Sequence, residues 1–139
     1  MGRKISREHA MKLLYQLEFH KDNCDNAIDS FIEQNNISKS DENFIRELIY
    51  GIYAKIQDID CLIENNLRGW KIERISKVDL SILRISVFEI LEREDIPVNV
   101  SINEAIELAK KYSGKDSAAF INGILGKIYD AVNKQKKQN

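Results

Sequence analysis

Eleven consecutive residues in the last third of the chain hold the most suggestive chemistry. Lys110-Lys111-Tyr112-Ser113-Gly114-Lys115-Asp116-Ser117-Ala118-Ala119-Phe120 combines three lysines, two aromatic rings and a turn of the kind that precedes a helix. Aromatic faces stack unpaired bases and lysines hold phosphates, which is how single-stranded RNA is recognised. A helix N-terminus adds free N–H groups and the positive end of the helix dipole, both favourable to phosphate. On spacing alone, packing of Tyr112 and Phe120 into a core explains the same two rings equally well. A second basic cluster opens the chain, where Arg3, Lys4, Arg7 and Lys12 are opposed only by Glu8. The segment from Lys134 to Asn139 adds three more lysines and reads as a disordered basic tail.

Other chemistries find little support. His9 and His20 stand eleven apart without an H-x-x-x-H spacing or a cysteine cluster, so they read as solvated polar residues rather than metal ligands. Gly123-Ile-Leu-Gly126-Lys127 has only two residues between its glycines and lies inside a helical pattern, so it is no phosphate-binding loop. Its glycines read as allowances for close helix packing. No G-x-S-x-G, post-strand G-x-G-x-x-G or H-E-x-x-H occurs. The carboxylates alternate with lysines and arginines, as on a solvated helix face. No metal, cofactor or catalytic activity is expected. The formal net charge is −1, so nucleic-acid binding must rest on where the charges lie.

Elements able to position these residues are helical throughout. The 139 residues suffice for one domain, or two packed halves sharing a core, at 43% hydrophobic and 31% charged composition. No stretch approaches the ~20 apolar residues of a membrane helix, and the basic N-terminus lacks the apolar run of a signal peptide. Cys24 and Cys61 fit a reducing cytoplasm. Ala10, Leu13, Leu14 and Leu17 predict a helix from about Ser6 to His20, and Ala27, Ile28, Phe31 and Ile32 a second, ending near Asn35-Asn36. A long periodic stretch from Ile45 to Ile63, capped at Ser38, breaks near Gln57 and stops at Gly69. Trp70, Ile72 and Ile75 mark a short helix or turn. Ser76 caps a helix apolar on two sides (Leu80, Leu83 and Val87; Ile82, Ile85 and Phe88), which must be central. Pro97 ends that region, and Ser101-Ile-Asn-Glu104 reads as the capping box of the next helix. Ser113-Gly114 is its C-cap, and Asp116 the N-cap of a last helix carrying Ile121, Ile124, Leu125, Ile128 and Val132. The expectation is an all-α fold of about seven helices in two small bundles, about 1–68 and about 70–139, within one domain.

The chain also resembles the NusB transcription antitermination factors over nearly its whole length. The resemblance is carried by Arg7-Glu8-His9-Ala10 through Leu14-Tyr15, Leu83-Arg84-Ile85 with Glu89, and Pro97. It continues through Ile102-Asn103-Glu104-Ala105-Ile106-Glu107-Leu108-Ala109-Lys110 to Asp116-Ser117 and Phe120-Ile121-Asn122-Gly123-Ile124-Leu125. It implies an all-α bacterial cytoplasmic protein that binds boxA-type single-stranded RNA in nascent ribosomal RNA transcripts. The implied partners are NusE, a small-subunit ribosomal protein, and the RNA polymerase elongation complex with other Nus factors. Carried over by position, the RNA contacts are Arg3, Lys4, Arg7, Tyr112, Asp116 and Phe120, with Lys115 adding a charge. The implied NusE contacts are Tyr15, Glu73 and Asp79. Ile5 and Ser6 make the leading basic segment thinner than in many relatives. Arg84 reads as a structural partner for a carboxylate.

Two other classes fit parts of the pattern. Similar helical modules precede the catalytic domain of certain ribosomal RNA cytosine methyltransferases, but no α/β domain with a cofactor loop follows here. A helical protein-interaction module without an RNA role is the second.

Overall fold

The computed structural model describes residues 3–19, 24–69 and 71–138. Among these it contains seven α-helices and no strand. They are α1 (Arg3–Leu17), α2 (Cys24–Gln34), α3 (Lys39–Ala54), α4 (Ile56–Asn65), α5 (Lys77–Glu92), α6 (Val98–Tyr112) and α7 (Lys115–Gln138), with a single 3-10 turn at Ile72–Arg74 before α5. His20 and Trp70, which figure in the predicted elements, lie outside the described residues.

Two predicted caps form as expected: the Ser38 and Ser76 hydroxyls accept the backbone N–H of Asp41 and Asp79, each at 3.2 Å. Gly114, at φ 116°, turns the chain out of α6, with its N–H given to the Ala109 carbonyl. The long apolar stretch breaks at Lys55, two residues from Gln57, as expected.

Every residue of α5 from Asp79 to Ile90 is buried, because α1, α3, α4, α6 and α7 all pack against it. Leu83 and Val87 are fully enclosed, as the two-sided apolar pattern predicts. One close approach sets the α3–α5 distance. A Cβ added at Gly51 would stand 2.4 Å from Cζ of Phe88, so only glycine admits that ring. By contrast, Cβ atoms added at Gly123 and Gly126 would meet nothing within 4 Å. The expectation that these α7 glycines permit close packing is therefore corrected.

Four boundaries also differ from expectation. α6 starts at Val98 with Pro97 as its N-cap, because the Pro97 carbonyl accepts the Val100 and Ser101 N–H groups. Ser101 is thus a turn inside the helix, buried, and donates its hydroxyl to Glu89 rather than capping. α7 begins one residue before Asp116, which sits in its first turn instead of at the cap. The C-terminal tail continues as helix to Gln138. α1 likewise begins at Arg3, ahead of Ser6.

The buried guanidinium groups are paired with carboxylates. Arg84 donates to both oxygens of Asp60, at 2.9 and 2.8 Å, and to Glu18, so α5 is tied to α4 and to the end of α1. This is the structural role expected of Arg84. Bidentate pairing satisfies the planar guanidinium where desolvation would otherwise be costly.

Candidate nucleic-acid interface

Of the candidate residues, Lys4, Tyr15 and Tyr112 line the seam between α1 and the end of α6. Spacing on α1 places Lys4, Glu8 and Lys12 on one face, four residues apart, with Tyr15 beside them. The core face of α1, with Ala10, Leu13, Leu14 and Leu17 enclosed, fixes which side points outward. Lys111 and Tyr112 reach this line from α6. The Lys111 ammonium donates to Glu8 Oε2 at 2.7 Å, and the Tyr112 hydroxyl donates to the same oxygen at 2.8 Å. Tyr112 keeps 38% of its surface exposed. The ammonium groups of Lys12 and Lys111 stand 5.7 and 5.5 Å from its ring centroid, within cation–π range.

Beyond Tyr112 the seam widens into a groove of about 630 Å³, lined by Met11, Lys12, Tyr15, Phe31, Val78 and Tyr112 among others. Tyr15 is 39% exposed and meets Phe19 edge-on, with ring centroids 5.2 Å apart. On the other side Lys4, Glu8 and Lys111 border a hollow of about 390 Å³. The groove thus sets a cation beside rings, which suits a strand of unstacked bases joined by phosphates, while Glu8, Glu104 and Glu107 stand among the lysines of the hollow.

Individual residues divide into those the seam presents and those it does not. Lys4 is exposed at the edge of the hollow, and Lys115 and Asp116 are exposed at the start of α7. Arg3 is exposed but lies 4.3 Å over the Phe44 ring, toward α3. Phe120 is half-buried and packs against the core, which bears out the packing reading and leaves part of the ring exposed. Arg7 is a correction. It is 5% exposed, and its Nε donates to Glu89 Oε2 at 2.8 Å, so its charge is spent inside the protein rather than offered to phosphate. Asp79 is similarly turned inward: 7% exposed, it accepts the Ser113 hydroxyl at 2.8 Å and fastens the end of α6 to the start of α5. Glu73 is exposed on the 3-10 turn, beside α4.

Glu8 is the seam residue that the sequence alone does not single out, and Lys111 is legible only as one lysine of a basic segment. Glu8 stood out only as the single acid in a basic segment. Its four-residue spacing from Lys4 and Lys12 was the available signal, but the matching cation lies 103 positions away. Lys111 and Tyr112 hold the Glu8 carboxyl below the usual carboxylate range, against an opposing effect of partial burial. The acid is thus ionised at neutral pH.

Residues 4–130 match the sequence profile of the NusB family. This chain belongs to that family. The transcription antitermination protein NusB of Ruminiclostridium cellulolyticum is 52% identical over 128 residues, covering 92% of this chain and 88% of its own. NusB of T. maritima has the same fold, with a TM-score of 0.86 at 35% identity, over 94% of this chain and 92% of that one. A crystal structure of the antitermination factors NusB and NusE in complex with dsRNA matches with a TM-score of 0.85 at 28% identity, over 93% of this chain and 96% of the other. No described helix is long and apolar enough to cross a membrane.

Proposed function

We propose that this NusB-family chain is an RNA-binding transcription antitermination factor. With NusE it binds boxA-type single-stranded RNA of nascent ribosomal transcripts and supports processive elongation by RNA polymerase. It works by binding rather than catalysis, in the cytoplasm where those transcripts form. Family membership carries the reading, and the α1–α6 seam supplies its physical basis: exposed lysines beside half-exposed tyrosines.

In this reading Lys4, Lys12, Lys111 and Lys115 hold phosphates, while Tyr112 and the exposed edge of Phe120 stack bases. Arg3 adds charge at the edge of the surface. Arg7 acts from within, as it keeps α1 seated on α5. Tyr15 and Glu73 are offered to NusE, and Asp79 supports the α5–α6 junction beneath. Two subdomains, α1–α4 and α5–α7, would share the α5 core.

The test is binding of a boxA-like oligoribonucleotide with and without NusE, against a scrambled strand and a duplex of the same sequence. Tighter binding of the boxA strand in the presence of NusE is expected. Equal, weak binding of all three with no effect of NusE would leave a helical interaction module without an RNA role.

A further inference from the structure

We propose that Glu8 is an internal stand-in for phosphate, which RNA must displace from Lys111 and Tyr112 to occupy the seam. This rests on the RNA-binding reading above. The placement of donors carries it. A single oxygen, Glu8 Oε2, accepts both the Lys111 ammonium at 2.7 Å and the Tyr112 hydroxyl at 2.8 Å. Lys4 borders the same hollow, which Glu104 and Glu107 also line, and Lys12 stands over the Tyr112 ring, so the phosphate position is the Lys111–Tyr112 edge rather than the hollow as a whole. Ammonium and phenol donors converging on one anionic oxygen are the set a phosphate oxygen takes.

The carboxylate is also placed to be displaced. Its side chain is 23% exposed and its partner Lys111 61%, whereas the Arg7–Glu89 pair is 6% and 1% exposed. The inner pair is locked, while the outer one is open to exchange with solvent anions. Exchange replaces one ion pair with another and leaves the freed Glu8 charge well inside a Debye length of the incoming phosphate. Glu8 thus subtracts from phosphate binding twice, by holding Lys111 and then by repulsion. A polyanion that brings only phosphates bears this penalty in full. A strand that also stacks a base on Tyr112 offsets it, so Glu8 makes the surface selective for unpaired RNA over other polyanions.

Glu8→Gln removes the charge but keeps a carbonyl for Tyr112. The variant should bind a boxA-like strand roughly two- to fivefold more tightly at low salt, the range of an exposed ion pair. It should gain more for heparin, so the preference for the RNA strand falls. Its dependence of log K on log salt should steepen by about 0.7, because Lys111 now exchanges a counterion. In a Lys111→Gln background most of this gain should vanish. Pyrophosphate titrated into isotope-labelled protein tests the site without RNA, and Glu8→Gln should show the tighter binding at the Lys111 and Tyr112 resonances. Unchanged or weaker pyrophosphate and RNA binding by a folded Glu8→Gln protein would overturn the proposal and make Glu8 a positioning residue for Tyr112. Wild-type protein that ignores RNA, with the pyrophosphate gain intact, would sink the RNA reading and leave the Glu8 inference standing.

Discussion

Arg7 on α1 donates its Nε proton to Glu89 on α5 at 2.8 Å, with both side chains almost wholly withdrawn from solvent. Ser101 of α6 donates its hydroxyl to the other oxygen of the same carboxylate. One acid therefore receives α1 and α6, the two helices that form the seam, and fixes their spacing. A residue that counts as surface charge in the sequence serves instead as a foundation of that surface.

Breaking this pair should cost stability rather than RNA affinity. Arg7→Met leaves Glu89 buried without its cation and should destabilise by roughly 3–5 kcal/mol. Adding Glu89→Leu should restore part of the loss, as read from urea midpoints. At temperatures where Arg7→Met stays folded, its RNA salt slope should match wild type. A flatter slope would show that Arg7 meets phosphate after all.

The two kinds of glycine predict opposite signs. Gly51→Ala drives a methyl into the Phe88 ring and should cost about 1–3 kcal/mol, as overpacking does. Gly123→Ala adds its methyl to open space on a helix and should gain roughly 0.5–1 kcal/mol. Thermal melts of the two variants should bracket the wild type.

Tyr112→Ala should weaken boxA binding by ~1–3 kcal/mol while leaving helicity intact. Phe120→Ala should lose both affinity and some stability, since that ring also packs on the core. Phe120→Leu separates the two by keeping most of the packing without a stacking face. Should Phe120→Leu bind RNA like wild type, the ring is purely structural.

Asp116 lies exposed in the first turn of α7, where an acid favours the helix dipole. Asp116→Asn should therefore lower stability slightly, by about 0.3–1 kcal/mol at low salt. The same change removes a negative charge beside Lys115 and should tighten RNA binding, more at low ionic strength than at high. Weaker binding at every salt concentration would mark Asp116 as a hydrogen-bond acceptor for a base.

Acid should loosen the seam in a defined window. Lys111 chiefly, with Tyr112 and Lys12, holds the folded-state pKa of Glu8 below its ordinary value of 4.5. The pairing contributes fully above that value and is lost as pH falls through the lower folded-state pKa. The stability advantage of wild type over Glu8→Gln should be constant at neutral pH and shrink below about pH 4.5. An advantage that persists at still lower pH would mean that charge is not what Glu8 contributes.

Local signals made much of this architecture legible. Ser38 and Ser76 cap as their spacing predicts, and the two-sided apolar pattern of α5 marks it as the core helix. Ser101-x-x-Glu104 misled because a capping box is a local rule, whereas Pro97 and the distant Glu89 decide what Ser101 does. Arg7 misleads for the same reason, because its partner Glu89 lies far along the chain, and the Gly51–Phe88 approach has no local signal at all. The site was readable as lysines beside aromatics, but its central anion was not. Nothing within a helical turn of Glu8 announces the pairing with Lys111.

The central place of α5 also sets a timetable for the molecule's birth. Translation delivers α1 before α5, and α5, which shares with α3 the covering of its apolar face, ends at Glu92, about 75 residues after Leu17. At roughly 5–20 residues per second, the enclosed face of α1 waits several seconds without one of its two main neighbours. During that interval Ala10, Leu13 and Leu14 have only α2 and α3 for shelter, and Arg7 has no acid at hand from α5. The nascent N-terminal half should therefore be the part of this protein most in need of a chaperone, and ribosome-bound chains halted before Glu92 the ones most open to protease.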